Sequence, residues 1–372
     1  MKVVRILTDI GVRKAAVFVT AVFLCLFFVS CPVRASEKTS IRQQYQEYQK
    51  RLNRVKYRTD LLKNGFSTVS DQIFPIEVAG HGEVSLIPAF DQTYHRLVLF
   101  FVDDRGQVIF RTDQLETNYR VLGEMKQPDC EIAAVSIKDL NQDGRMDIIL
   151  ITSCAGADGS YEGFKIGDVL FQNRQQTGFY RDYRIADHVN RFGMNKSAEV
   201  ITAFVRDGHS TEFLYTSETL KELLSKGLQI ISEQCYFRTF GKLGRLQVVP
   251  GTYPISNYDV FMIYLVSEQG DILFRMQPMG NYDNLYALKG INCRDIDGDG
   301  LKDIVVLAKY SYEGDDGELI VESDYSIYYQ RTGSFSQDTE IKKVYHIGEE
   351  DTMELLIEKA RAYWGFKVEE ND

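Results

Sequence analysis

The sequence predicts a mainly β protein with peripheral helices, an α+β chain built from a tandem duplication of an antiparallel-sheet, blade-like unit. Three observations support this fold class. Tyrosine and phenylalanine each occur 22 times among the 372 residues, which favours strands over helices. Short apolar runs alternate with polar links that end in glycine, a pattern typical of hairpins. The same order of motifs occurs twice along the chain.

The duplication is visible as matching residues at a nearly constant offset. Leu61–Phe66 corresponds to Leu223–Leu228, and the later matches keep the same order along the chain. They are Gly82 with Gly244, Pro88 with Pro250, Gly106 with Gly270, Asn118 with Asn281, and Asp139 with Asp295. Because the order is preserved, we place unit one at residues 57–210 and unit two at residues 219–370.

Each unit predicts the same elements in the same order. A short helix ends at a glycine, Gly65 or Gly227. Strands follow, predicted at Val84–Ile87, Arg96–Val102, Gln107–Phe110, Leu246–Val249, Val260–Val266 and Asp271–Phe274. Another strand, an acidic loop and further strands come next. A helix closes each unit, near Lys196–Val205 and near Met353–Trp364, where apolar residues recur at helical spacing.

The first 35 residues have the order of a secretory signal peptide. Four basic residues come first, Lys2, Arg5, Arg13 and Lys14, and the apolar stretch Ala15–Val29 follows. That stretch is short for a full membrane span. Small residues at Val33 and Ala35 predict cleavage after Ala35. We therefore expect a secreted or envelope-associated protein, with an uncleaved membrane anchor and lipidation at Cys31 as alternatives.

Residues 36–56 form a polar segment ahead of unit one. Its apolar residues recur at helical spacing: Ile41, Tyr45, Tyr48, Leu52 and Val55. This stripe predicts an amphipathic helix. Two interpretations remain open, a helix that packs on the first unit and a stalk between membrane and domain.

The charge balance narrows the classes of partner. The formal net charge is −10, and outside the N-terminal third no basic block occurs. Nucleic-acid binding is therefore disfavoured. An acidic exported chain is instead expected to be soluble and to attract divalent cations.

Two acidic loops carry the strongest chemical signal. Loop one spans residues 139–147 and loop two spans residues 295–303. Their predicted ligands are Asp139, Asn141, Asp143, Arg145 and Asp147 in loop one, and Asp295, Asp297, Asp299, Leu301 and Asp303 in loop two. Positions one, three, five and nine supply side-chain oxygens, and position seven supplies a backbone carbonyl. A flexible set of oxygen donors suits Ca²⁺ better than Mg²⁺, so we expect two calcium sites.

The surroundings of the loops distinguish them from EF-hands. An EF-hand needs a bidentate glutamate at position twelve, but that position is Leu150 in loop one and Val306 in loop two. Both residues lie within β-branched apolar runs. Each loop is therefore expected to join two strands.

This strand–acidic loop–strand pattern resembles the FG-GAP or VCBS-type repeats of integrin α-chain propellers and of many exported bacterial proteins. The resemblance covers Val135–Ile151 and Ile291–Leu307. It implies calcium bound on a β-hairpin within a blade-like sheet, with the aspartates and Asn141 as ligands. Propellers repeat such loops in every blade, whereas this chain has two, so closure into a propeller stays open.

Four cysteines follow the N-terminal segment. Cys130 and Cys154 lie almost symmetrically about loop one, so they would face each other across a hairpin and form a disulfide in an oxidising compartment. Cys235 and Cys293 align with isoleucines and are expected to act as buried apolar residues.

Acidic residues also follow each loop: Asp158 and Glu162 after the first, and Glu313, Asp315, Asp316 and Glu318 after the second. They would complete a metal shell, bind a partner or form a solvated loop.

The motifs favour binding over catalysis, without excluding an enzyme. Neither a nucleophile elbow nor a metalloprotease helix nor a phosphate-binding glycine loop occurs, although a glycosidase-type carboxylate pair needs no sequence motif. We therefore expect a calcium-binding interaction module with a protein or glycan ligand outside the cytoplasm. An inhibitor or immunity protein against an exported hydrolase is the alternative. Five tyrosines are candidates for stacking on sugars or for ordinary strand positions: Tyr310, Tyr312, Tyr325, Tyr328 and Tyr329.

Overall fold

A computed structural model of the chain describes residues 40–119, 121, 123–155, 163–173, 178–280, 282–314 and 317–366. The predicted signal segment therefore lies outside the described residues. Within these ranges, no helix combines the length and the apolar character needed to cross a bilayer.

The first helix coincides with the predicted amphipathic segment. Helix α1 spans Ile41–Arg54. Its apolar stripe is only partly buried, since Ile41 and Tyr45 are exposed whereas Tyr48 and Leu52 are buried. The other α-helices are α2 (Tyr183–Arg191), α3 (Ala198–Val205), α4 (Glu212–Thr216), α5 (Leu220–Ser225), α6 (Ile341–Val344) and α7 (Met353–Tyr363).

Side-chain caps fix the start of several helices. The hydroxyl of Ser197 accepts a hydrogen bond from the amide of Val200 at the start of α3. Thr352 does the same for Leu355 at the start of α7. Each cap satisfies one of the amides that lack a partner in the first helical turn. Helix α3 thus begins two residues after the predicted Lys196, and helix α7 begins at the predicted Met353.

The first half of the chain forms two antiparallel sheets. In the five-stranded sheet the order is β1-β3-β4-β5, and β2 also pairs with β3. The four-stranded sheet has the order β6-β7-β8-β9. The strands are β1 (Phe66–Thr68), β2 (Phe74–Val78), β3 (Gly82–Asp91), β4 (Leu97–Val102), β5 (Val108–Thr112), β6 (Cys130–Lys138), β7 (Asp147–Cys154), β8 (Phe164–Gln172) and β9 (Phe179–Arg181).

The second half forms one nine-stranded sheet. One parallel pair of residues, Asp259 with Asn284, joins the strands of residues 229–276 to the strands of residues 284–337. Its strands are β10 (Gln229–Ile230), β11 (Tyr236–Thr239), β12 (Arg245–Ile255), β13 (Tyr258–Val266), β14 (Ile272–Met276), β15 (Asn284–Arg294), β16 (Asp303–Glu313), β17 (Leu319–Arg331) and β18 (Ser334–Gln337).

The strand pairings of the first half recur in order in the second. Strands β10 and β11 both pair with β12, as β1 and β2 both pair with β3, and β12-β13-β14 follows β3-β4-β5. The run β15-β16-β17-β18 then repeats β6-β7-β8-β9. Over the described residues the sheets are open, and none closes into a barrel.

In each half, apolar side chains pack between two layers of strands. In the first half, Leu99 and Phe101 of β4 share a cluster with Ile148 and Leu150 of β7. In the second half, Ile263 and Leu265 of β13 pack with Ile304 and Val306 of β16. Alternating residues of a strand point to opposite faces, so each cluster contains the side chains from one face of each strand layer.

Helices cover the outer face of the loop-bearing strands. Ile149 and Ile151 of β7 pack with Val189 of α2 and Ile201 of α3. Correspondingly, Val305 and Leu307 of β16 pack with Leu356 and Ile357 of α7. Strands β7 and β16 are therefore buried on both faces, which explains their unbroken apolar sequences.

The interpretation as residues that stack on sugars is wrong for four of the five tyrosines. Tyr310, Tyr325, Tyr328 and Tyr329 are buried. Tyr310 and Tyr328 lie between the strand layers, and the other two lie in the cluster that includes α7. Tyr312 is partly buried, and its hydroxyl donates to Glu322 at 3.0 Å. These five tyrosines therefore do not form a surface on which sugars could stack.

Candidate metal centre

Each acidic loop connects two neighbouring antiparallel strands. Loop one joins β6 to β7, and Lys138 pairs with Asp147 across its hairpin. Loop two joins β15 to β16, and Arg294 pairs with Asp303. The strand–loop–strand arrangement is the one that the apolar runs predict, which separates these loops from an EF-hand.

Left-handed backbone conformations make both loops turn sharply. Gly144 and Gly300, at position six, have φ of 82° in each case. Position four is also left-handed, with φ of 58° at Gln142 and 78° at Gly298. Only glycine adopts such values without a steric cost, so loop one carries some strain at Gln142 that loop two avoids.

Loop two brings three carboxylates together. One oxygen from each of Asp295, Asp297 and Asp303 lies within 4.8 Å of the other two. Oxygens that each lie about 2.3–2.6 Å from one calcium ion are at most about 5.2 Å apart. The spacing and the hard oxygen donors therefore fit a calcium ion held by these three residues.

Both loops hold the aspartate at position one through backbone amides, and Asp295 accepts two of them in loop two. Both oxygens of Asp139 accept backbone amides, from Asp143 at 3.0 Å and from Gly144 at 2.8 Å. Asn141 Oδ1 also accepts from Asp143, at 3.1 Å. Among the described residues, loop one forms no carboxylate group as close as that of loop two.

The aspartate at position nine is buried in both loops. Asp147 and Asp303 have no exposed surface. Removal from water, together with the neighbouring charges of Asp297 and Asp299, raises the pKa of Asp303 to about 6. Burial likewise raises the pKa of Asp147. Backbone amides oppose both shifts because they bond to the ionised carboxylates.

Those amides come from two strands of the sheet. Asp147 accepts from Leu140 at 3.0 Å and from Gln172 at 2.9 Å. Asp303 accepts from Ile296 at 2.7 Å and from Gln330 at 2.8 Å. The position-nine aspartate therefore ties its own loop to the end of the next strand, β8 or β17.

Gln172 and Gln330 are site residues that the sequence analysis missed. Both are buried. The side-chain amide of Gln172 donates to the carbonyl of Glu77 at 3.0 Å, and that of Gln330 donates to Phe240 at 3.1 Å. Each glutamine thus links the acidic loop of its own half to the other strand layer. A glutamine at the end of an apolar strand in both units was the available signal.

A second missed residue supplies a positive charge to loop two. Nη1 of Arg331 lies 2.8 Å from Asp297 and 3.3 Å from Asp299. In loop one, the guanidinium of Arg145 at position seven donates to the carbonyl of Asn173 at 2.9 Å.

Positions five and seven form a compact turn in both loops. The amide of Arg145 donates to Asp143 at 3.1 Å, and the amide of Leu301 donates to Asp299 at 2.8 Å. Asp299 stays outside the group of three close carboxylates. The metal-binding roles of Asp143, Asp299 and the two position-seven carbonyls remain predictions.

Cys130 and Cys154 close the open end of the loop-one hairpin. They are cross-strand partners in register, and a disulfide joins them. Their Cα atoms are 4.0 Å apart, slightly closer than the roughly 4.4–6.8 Å of most disulfides. Directly opposite residues of an antiparallel pair approach each other this closely. Cys293 is buried, as expected, and Cys235 is partly buried.

Two of the acids that follow the loops, Glu313 and Glu318, lie among the described residues, and both are exposed. The other four, Asp158, Glu162, Asp315 and Asp316, lie outside the described residues.

Phe366, which follows helix α7, lies against loop two. The ring of Phe366 lies so close to Gly298 that a Cβ there would overlap it. The indole of Trp364 donates to the hydroxyl of Tyr329 at 3.1 Å, and Arg331 lies over the ring of Tyr329. Loop two is thus packed against the residues that follow α7.

Comparisons with known proteins give no relative for the chain. No protein-family model matches it, and no curated protein is significantly similar to it.

Proposed function

We propose that the chain is an exported, non-enzymatic interaction module whose two acidic loops bind calcium. The observation that carries this proposal is the group of carboxylate oxygens from Asp295, Asp297 and Asp303, mutually within 4.8 Å. Without a cation these like charges repel each other. A divalent ion would replace that repulsion by attraction and fix the turn between β15 and β16.

In this proposal each site stiffens the outer end of a hairpin. Asp303 would bind the ion and also accept the amides of Ile296 and Gln330. Calcium would then stabilise the loop, its strand and the neighbouring strand together. Loop one would bind more weakly, because the neutral Asn141 stands where loop two has the carboxylate of Asp297.

We also propose that the chain is a duplication of one blade-like unit, over residues 57–210 and 219–370. The recurring strand pairings support it. So do the two buried glutamines, which contact the position-nine aspartates in the same way. Among the described residues, a parallel pair that joins the two strand layers, Asp259 with Asn284, occurs in the second half and not in the first.

Calorimetric titration of the purified chain with CaCl₂ and MgCl₂ tests the metal assignment. We expect two calcium ions per chain, with dissociation constants of about 10⁻⁴–10⁻³ M, and weaker magnesium binding. Asp297→Asn should abolish the tighter site, and the exposed residue outside the loops, Asp71, provides the control Asp71→Asn. Absence of calcium binding by the wild type would contradict the assignment of calcium to the loops. Loss of the tighter site in Asp71→Asn alone would also contradict it.

Affinity capture from a cell-envelope extract tests the interaction role. The calcium-loaded chain should retain a polysaccharide or an envelope protein, and retention should fall when calcium is removed. Capture of a single hydrolase whose activity the chain suppresses would contradict a structural ligand and favour an inhibitor.

A further inference from the structure

A polar cleft lies at the junction of the two halves, away from both loops. It has a volume of about 540 Å³, within the range of small-molecule sites. Its walls come from the 3₁₀ turn Glu116–Tyr119, the start of β8, the α2–α3 connection, α4 and the turn after β14. The residues used below are Glu116, Tyr119, Lys165, Lys196, Tyr215 and Gln277. We call this feature the junction cleft.

Two lysines give the junction cleft a positive charge in an acidic protein. Nζ of Lys165 lies 3.9 Å from Asp283 and donates to the carbonyl of Lys196 at 3.2 Å. The ammonium of Lys196 donates to the carbonyl of Gly280. Within the described part of the chain, no carboxylate lies within ion-pair distance of Lys196. One acid therefore faces two ammonium groups, and Arg191 adds a further cation at the wall.

The two ammonium groups are electrostatically unfavourable without a ligand. Burial and the charge of Lys165 together lower the pKa of Lys196 to about 8, although Asp283 opposes the shift. A bound anion would remove the repulsion between the lysines and raise that pKa. Binding near pH 8 would therefore be accompanied by proton uptake.

Neutral hydrogen-bonding groups lie beside the cations. A Cβ placed on Gly193 would be 3.2 Å from the Tyr215 hydroxyl and 3.6 Å from the Gln277 amide nitrogen, so both groups flank one point of the wall. Neither side chain has a hydrogen-bond partner among the described residues. Together they present donors and acceptors that suit hydroxyl groups.

The opposite wall supplies an acid and an aromatic ring. Glu116 is partly exposed and its carboxylate pairs with Arg181 at 2.9 Å. Tyr119 is 39% exposed, and Arg96 and Arg181 contact its ring. A partly exposed ring is a surface on which the C–H face of a sugar packs, and a carboxylate accepts hydroxyl hydrogens.

We propose that the junction cleft binds an acidic sugar residue, a polyhydroxylated ring that carries one carboxylate. The carboxylate lies against Lys165 and Lys196, the hydroxyls bond to Gln277, Tyr215 and Glu116, and the ring packs on Tyr119. A simple anion would use the lysines alone and leave the amide, hydroxyl and aromatic groups unused. In choosing a glycan, the inference rests on the proposed role as an interaction module, and it requires no metal.

Titration of the calcium-saturated chain with glucuronate, and separately with glucose, tests the proposal. We expect saturable glucuronate binding and at least tenfold weaker glucose binding. Lys196→Met should weaken glucuronate at least tenfold and abolish the proton uptake at pH 8, measured by calorimetry in buffers of different ionisation enthalpy. Lys165→Met gives the same comparison if Lys196→Met does not fold. Lys289→Met, which removes an exposed lysine outside the cleft, should bind like the wild type.

Three results would overturn the proposal. They are equal binding of glucose and glucuronate, equal binding of inorganic phosphate and glucuronate, and equal affinities in the Lys196 and Lys289 variants. Failure of the calcium assignment is a different result, because it appears as absent calcium binding in the metal titration. Glucuronate binding by metal-free protein would support the junction cleft and leave the calcium loops to be judged separately.

Discussion

The guanidinium of Arg331 lies 2.8 Å from the carboxylate of Asp297. The charge of loop two is thus partly neutralised by Arg331, which directly follows the buried Gln330 in the sequence. An incoming calcium ion would have to displace this side chain or share Asp297 with it. In loop one the residue that follows the corresponding Gln172 is Asn173, which carries no charge.

Removing this competing charge is expected to tighten calcium binding. An exposed ion pair is worth about 0.2–1 kcal/mol, so Arg331→Gln should lower the calcium dissociation constant of loop two about two- to fivefold. The matched control is Arg145→Gln in loop one, since that guanidinium donates to the carbonyl of Asn173. Calorimetry should show little change for the control. Weaker calcium binding in Arg331→Gln would indicate that the arginine supports the site.

The contact between Phe366 and Gly298 predicts a position-specific loss of stability. Gly300→Ala introduces left-handed strain of about 1–2 kcal/mol and meets open space. Gly298→Ala adds a clash with the Phe366 ring, so its free energy of unfolding should fall by a further 1–3 kcal/mol or so. Denaturant unfolding measures both. The extra loss should disappear when Phe366→Ala is combined with Gly298→Ala, and persistence of the loss would contradict the packing of Phe366 on the loop.

Asp168 predicts a pH dependence that is independent of the metal loops. This carboxyl is buried, and desolvation raises its pKa to about 6 although Arg181 and two backbone amides oppose the shift. The folded state therefore holds the proton more tightly than the unfolded chain does. Stability should fall as pH rises from about 4 to 6, by about 2–3 kcal/mol in total.

Unfolding free energies of the wild type and Asp168→Asn across pH 4–7 check this sign. The wild type should lose stability relative to the variant as pH rises through that window. The exposed residue Asp187 supplies a control, Asp187→Asn, that should keep the wild-type slope. Parallel curves for all three proteins would contradict the contribution of Asp168.

The disulfide is expected to stabilise the first half only. It joins residues separated by 24 positions, and closing a loop of this size contributes roughly 3 kcal/mol. The double variant Cys130→Ser/Cys154→Ser should lose about that amount, and dithiothreitol should affect the wild type alone. Cys235→Ser, which leaves the disulfide intact, is the control. An unchanged melting temperature in the double variant would contradict the prediction.

Residues close together in sequence were the predictable part of the fold and site. The loop ligands, the flanking strands and the cysteine pair all lie within one hairpin, so spacing alone places them. Gln172, Gln330 and Arg331 reach the loops from neighbouring strands, and their positions depend on sheet register. Lys165, Lys196 and Gln277 meet only through tertiary packing.

The burial of the tyrosines could not be predicted from the alternating pattern of strand residues. An alternating strand suggests one exposed face, but β16 and β17 have apolar layers on both sides. Tyr328 therefore lies between the strand layers, while Tyr329, which points the other way, lies in the cluster with α7. Exposure depends on which helix covers the outer face, and the local sequence does not encode that.

Thermal unfolding with calcium and with chelator is the most direct test of the calcium loops. A ligand that binds only the folded state, at about 100 times its dissociation constant, adds roughly 2.7 kcal/mol of stability. The wild-type melting temperature should therefore fall when calcium is chelated, and Asp299→Ala should remove more of this response than Asp143→Ala. Equal losses in the two variants would reject the order of the sites. Melting curves that chelation leaves unchanged would contradict the assignment of calcium to the loops.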